Sequence, residues 1–194
     1  MPAQGMAAAA ENMFNIKCNG DRNGKIYYTR GYHQASYIKN NGELKLIKDS
    51  GGTYTPRYKL NTAGGCGTDC SGLASWICME SGLFKQNVIF TSTIAGDSGE
   101  FNKLKNALVD GYTLTEVDIN YRQKGDLLCS TIGNATSPTL GKPAGRTDGI
   151  TSTGHCAICY NASTVVGIGS KDGTSTKASF SPNTYKVCYR VVKI

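Results

Sequence analysis

Eight cysteines and two histidines carry most of the chemistry available to this sequence. One cysteine stands where a reactive thiol should. The run Gly67-Thr68-Asp69-Cys70-Ser71-Gly72 closes a stretch dense in Gly and Thr and opens an apolar one. That junction predicts a loop entering a helix over Ser71–Gly82, with Leu73, Trp76 and Ile77 on its apolar face and Gly82 as its stop. Cys70 then falls in the first turn. There the unpaired backbone N–H groups and the helix dipole favour an anion, which stabilises a thiolate. The same N–H groups can stabilise an oxyanion on a carbonyl that the thiolate attacks. A nucleophilic thiol needs a base, and histidine fits neutral pH best. His33 lies in a poorly patterned stretch. His155 opens a strand directly after a long polar loop, where a base could face a cleft.

The remaining cysteines read differently. Cys156 and Cys159 have the C-x-x-C spacing of zinc and redox sites. They fall inside a strand, however, and alternation sends them to opposite faces, with Ala157 and Cys159 on the face of His155. No metal site is expected. Cys66 and Cys70 are close enough in sequence for a regulatory disulfide, and Cys78 and Cys188 read as small buried apolar residues.

These side chains need elements to hold them. Residues 4–16 are alanine-rich and predict a helix. Lys25–Thr29 and Glu43–Ile47 read as strands of a hairpin around Asn40-Asn41-Gly42. Glu100–Val109 predicts a second amphipathic helix, Tyr121–Asp126 a turn, and Leu127–Ser130 a short strand. Residues 131–153 form a long polar loop rich in Gly, Pro, Ser and Thr. Loops of that length in compact domains usually carry function. His155–Tyr160, Thr164–Ile168 and Lys186–Val192 read as closing strands. Helices followed by a strand meander argue an α+β fold with an antiparallel sheet.

The chain has 194 residues, of which 18% are charged, against roughly 25% in ordinary domains, so general disorder is excluded. Its formal net charge of +7 draws it to polyanions. The basic residues are scattered and form no nucleic-acid motif, so no nucleic-acid partner is expected. No segment is long and apolar enough to span a membrane. The first residues lack the basic and apolar regions of a signal peptide, which predicts reduced thiols.

Taken in order, Tyr58 with Gly64-Gly65, Asp69-Cys70-Ser71-Gly72-Leu73, Gly125-Asp126-Leu127 and Gly154-His155-Cys156-Ala157-Ile158 resemble the NlpC-type family of papain-like cysteine hydrolases of bacterial cell walls. The resemblance covers about residues 58–170 and implies a papain-like fold, with the nucleophile at the start of a helix packed on a small antiparallel sheet. It divides the chain into an N-terminal extension, 1–57, and a catalytic domain, 58–194. It implies Cys70 as nucleophile, His155 as general base, Tyr58 near the oxyanion, and Asp69 and Ser71 shaping the turn and substrate pocket. The family places a third, polar residue on the strand after the histidine strand. Simple register puts Gly167 there, which has no side chain. A longer hairpin turn would bring Ser170 opposite His155; Asp172, a backbone carbonyl or a water are alternatives.

The resemblance implies a thiol peptidase or amidase that needs no cofactor and cuts an amide of peptidoglycan. Its setting would be an endolysin, a tail-borne bacteriophage lysin or a secreted effector, made in the cytoplasm and acting on the wall. A larger phage or secretion assembly is an implied partner. An inactive wall-peptide or partner-binding module of the same fold, and a hydrolase of some other amide, are the competing readings.

Overall fold

The structure, a computed structural model, describes residues 2–15, 17–18, 26–28, 36–40, 43–47, 67–68, 70–85, 98–130, 155–169 and 175–194. Helix α1 spans Pro2–Asn15, close to the expected 4–16. Its Met6, Ala9, Ala10 and Met13 recur at helical spacing and are buried. Helix α2 spans Cys70–Glu80 and is buried on every side from Cys70 to Cys78. A helix apolar all round belongs at the centre of a fold, and α2 lies there, against α1 and a β-sheet. It stops as expected. Gly82 takes φ +72°, a left-handed conformation that glycine adopts without strain, and the Ser81 hydroxyl donates to the Cys78 carbonyl at 2.6 Å. Helix α3 spans Ser98–Asn106 and buries Leu104 in the same core.

The N-terminal strands depart from the expected hairpin. β1 is Lys17–Cys18, β2 Tyr27–Tyr28, β3 Ser36–Asn40, β4 Glu43–Ile47 and β5 Gly67–Thr68. β4 pairs antiparallel with β3, not with Lys25–Thr29, in a register that opposes Asn40 to Glu43. Only Asn41-Gly42 lies between those partners, a dipeptide that favours two-residue hairpin turns. Closing that short connection costs less entropy than closing the one from residue 29. Tyr27–Tyr28 instead runs parallel to β5, just before α2.

Six strands make the main sheet: β6 Tyr112–Val117, β7 Leu127–Cys129, β8 Cys156–Asn161, β9 Thr164–Ile168, β10 Ser175–Ser179 and β11 Val187–Lys193. Their order is β10-β9-β8-β7-β11-β6, every neighbour antiparallel. The fold is therefore α+β with an antiparallel sheet. One face, carrying Leu127, Cys129, Cys156, Ile158, Val166, Ile168, Tyr189 and Val191, shares a core with α1, α2 and α3. The other buries Leu128, Ala157, Cys159, Val165, Tyr185 and Cys188 in a second, smaller cluster. Cys156 and Cys159 thus lie on opposite faces.

The division at residue 57 falls outside the described residues. Within them, α1 packs on α2 and the sheet, and its Glu11 pairs with Lys177 of β10. That ammonium also lies 4.3 Å from the centre of the Tyr160 ring and 4.8 Å from that of Phe14. The first helix is a wall of the same core that holds the sheet.

Candidate functional site

Cys70 is the first residue of α2, and only 8% of it is exposed. Ser71 follows, buried, its carbonyl accepting the Ser75 hydroxyl at 2.7 Å one turn on. The helix start is thus pressed into the protein, with Cys70 at its outer limit. Cys70 is not disulfide-bonded. Cys66 lies outside the described residues, and so do Tyr58, Asp69, Ser170 and Asp172.

His155 stands immediately before β8 and is half-buried. Its backbone is fixed from both directions by one residue. The His155 N–H donates to the Ser130 hydroxyl at 2.8 Å, and the Ser130 N–H donates to the His155 carbonyl at 2.8 Å. The sequence gives no signal of this pairing, because residues 131–154 separate the partners. The β7–β8 register runs Leu127↔Ile158, Leu128↔Ala157 and Cys129↔Cys156, and the exchange with Ser130 continues it by one step.

Cys70 shares the main core with Cys129 and Cys156. Cys129 lies opposite Cys156, the residue after His155, and Cys129 is also an electrostatic neighbour of Cys70. Burial pushes the Cys129 thiol well above its ordinary value, and negative charge on Cys70 or Cys78 pushes it further. Cys78 moves the same way by burial alone. Among the described cysteines these two behave as apolar filling, whereas Cys70 is the one at a helix start.

Tyr185 joins the two residues and was not foreseen from the sequence. It lies in a turn in which Thr184 and Tyr185 both donate to the Ser181 carbonyl, just before β11. Its ring centre is 5.7 Å from that of His155, the planes inclined by 34°. Burial pushes its phenol up, and negative charge on Cys156, Cys70 or Cys129 adds to the shift. The phenol therefore stays neutral beside the thiols. A tyrosine in a Pro-Asn-Thr-Tyr turn carries no pattern that would mark it out.

The β8–β9 register places Gly167, the residue that simple register named. Ile158 opposes Val166 and Cys159 opposes Val165, with an irregularity confined to Cys159–Asn161. Continued by one step, this sets Gly167 against Ala157. A Cβ built on Gly167 would lie 3.1 Å from the Ala157 Cβ, as that pairing requires. A further two steps set Gly169 against His155. Ser170 and Asp172, the side chains that the resemblance allows as the third residue, lie outside the described residues.

Gly125-Asp126-Leu127 proves to be architectural. Gly125 takes φ +93°, and its N–H donates to the Cys159 carbonyl at 2.7 Å. Asp126 is 1% exposed and gripped by Arg190 of β11. Leu127 opens β7. The motif fixes the strand that carries Cys129 and Ser130.

Among the described residues, no group of three or more His, Cys, Asp and Glu could hold a metal ion, and no helix is long and apolar enough to cross a membrane. No protein-family model matches the chain, and no curated protein matches it.

Proposed function

We propose that the chain is a cysteine hydrolase that cuts an amide bond of peptidoglycan peptides. The observation that carries this reading is the placement of Cys70 at the start of the central helix, with His155 immediately before β8. The ordered motifs of the sequence supply the substrate class, and the net charge of +7 suits an anionic wall.

The chemistry follows from the two groups. His155 takes the Cys70 proton, and the thiolate adds to the amide carbonyl carbon, forming a C–S bond and an oxyanion. Backbone N–H groups at the start of α2 are the natural donors to that oxygen. The oxyanion collapses, the C–N bond breaks, and the amine leaves with the proton from His155. Water, deprotonated by His155, then attacks the thioester. The C–S bond breaks, releasing the acid and restoring the thiol. The natural setting of such an activity is a phage lysin, a tail-borne lysin or an exported effector.

Cys70→Ala is expected to abolish turbidity loss of a cell-wall suspension, and mass spectrometry of wild-type digests to name the bond cut. Wall lysis that persists in Cys70→Ala would sink the reading. One observation favours a second reading, a binding module of the same fold: Gly167, the residue that simple register sets at the orienting position, has no side chain. Thiol alkylation separates the two. An activated Cys70 reacts with a rate midpoint below pH ~8.5, the value of an ordinary thiol.

A further inference from the structure

We infer that Tyr185 positions the His155 imidazole by ring-to-ring contact. This rests on the hydrolase reading for its catalytic consequence, but the placement of the ring stands independently. The argument begins with what a Cys–His pair needs. The base must present one nitrogen to the thiol in one ring orientation, and the torsion that turns an imidazole is intrinsically broad. Something has to narrow it. Among the described residues, Ala157 and Gly167 oppose each other on that face and neither carries a polar side chain.

The narrowness of that pair leaves the surface beside His155 to a residue from elsewhere. Tyr185 reaches it. The residue is 5% exposed and lies in the same buried cluster as Ala157 and Cys159. Its ring is itself held, with Phe180 stacked at 6.0 Å and an interplanar angle of 22°. Its backbone is fixed by the turn on Ser181 and by the Lys186 N–H, which donates to the Cys129 carbonyl at 2.9 Å. The platform under the imidazole is therefore rigid, and it is tied to β7, the strand whose Cys129 neighbours Cys70. Negative charge on Cys156, Cys70 or Cys129 acts on the phenol, and the His155 ring lies beside it. An imidazolium formed during the reaction would also be favoured by the electron-rich ring beside it.

The test uses the fact that the chain has only two histidines. Proton NMR of the wild-type protein, with His155 signals assigned by their loss in His155→Gln, should show ring-to-ring contacts between His155 and Tyr185 and a ring-current shift of the imidazole protons. Tyr185→Leu should remove that shift and lower kcat roughly 10- to 100-fold with KM within about twofold, as a small misplacement of a base does. Tyr185→Phe keeps the ring and should restore both the shift and most of the lost kcat. A loss confined to KM, or His155 signals indifferent to Tyr185→Leu, would overturn the assignment. Absence of the ring contacts in the wild type would do so without any variant. Wild-type protein that shows the contacts but cuts no wall peptide would defeat the hydrolase reading and leave the positioning intact.

Discussion

Arg190 holds Asp126 by two parallel bonds, Nε to Oδ1 at 2.9 Å and Nη2 to Oδ2 at 2.8 Å. The Gln123 N–H donates to Oδ2 at 2.7 Å and the Cys188 thiol at 3.2 Å. Arg190 also donates to the Tyr121 carbonyl at 2.8 Å. The carboxylate is buried and fully satisfied, so removing one partner is worse than removing both. Arg190→Leu strands a buried charge and should cost about 3–5 kcal/mol, whereas Asp126→Leu with Arg190→Leu should cost markedly less. Urea unfolding of the two single variants and the double variant measures the difference. A double-variant cost equal to the sum of the two single costs would show that the pair is not coupled.

Gly167 and Ala157 form a pair in which neither residue can grow. Gly167→Ala should cost about 1–3 kcal/mol through overpacking. Ala157→Gly in the same chain should recover much of that loss, because the opposing Cβ is then gone. A double-mutant cycle read by chemical denaturation gives the coupling directly. Purely additive losses would contradict the register between β8 and β9.

Gly169 is the neighbouring glycine with room. A Cβ there would meet nothing within 4 Å, and continued register places it opposite His155. Gly169→Asn should therefore fold with a melting temperature close to that of the parent. If the hydrolase reading holds, the added amide should raise kcat severalfold by adding a second restraint on the imidazole. A fall in kcat would mean that the added side chain obstructs the cleft.

Buried thiols set the response to alkali. Burial, followed by the charge of Asp126, pushes the Cys159 thiol from 9.0 to about 11. Its folded-state value is the higher one, so the folded chain keeps a proton that the unfolded chain loses. The stabilising contribution is fully present below about pH 9 and is lost as pH rises towards 11. Burial moves Cys78, Cys129 and Cys188 in the same direction. Unfolding free energy should therefore decline above pH 9, with Cys159→Ala declining less steeply than the parent. An unchanged slope in Cys159→Ala would refute the contribution.

What could be read in the sequence depended on how strongly each residue declares its surroundings. The helix behind Cys70 was legible because apolar residues and a glycine stop frame it. Thr164–Ile168 was legible because it is apolar and β-branched. β10, Ser175–Ser179, was not, since Ser-Thr-Lys-Ala-Ser has no large apolar residue and is held by β9 and by the reach of Lys177 to Glu11. β6 was missed for a similar reason, as only Leu114 along it is fully buried. At the site, the sequence pointed to Cys70 and His155. It could not reveal Ser130 or Tyr185, whose roles arise from pairings across a long stretch of chain and a turn. Gly167 was visible as a residue without a side chain, but its tight approach to Ala157 had to be seen in the structure.

The central position of β11 ties the order of synthesis to the order of folding. Val187–Lys193 lies between β7 and β6, and α1 rests partly against it. A ribosome therefore delivers the first helix of the core long before the strand on which that helix comes to rest. Until residue 193 has emerged, β6 has no partner, β7 lacks one neighbour, and the apolar stripe of Met6, Ala9, Ala10 and Met13 has an incomplete surface to cover. The meander β7-β8-β9-β10 can pair beforehand, but β6 joins the sheet only through the last strand, so the sheet is completed late.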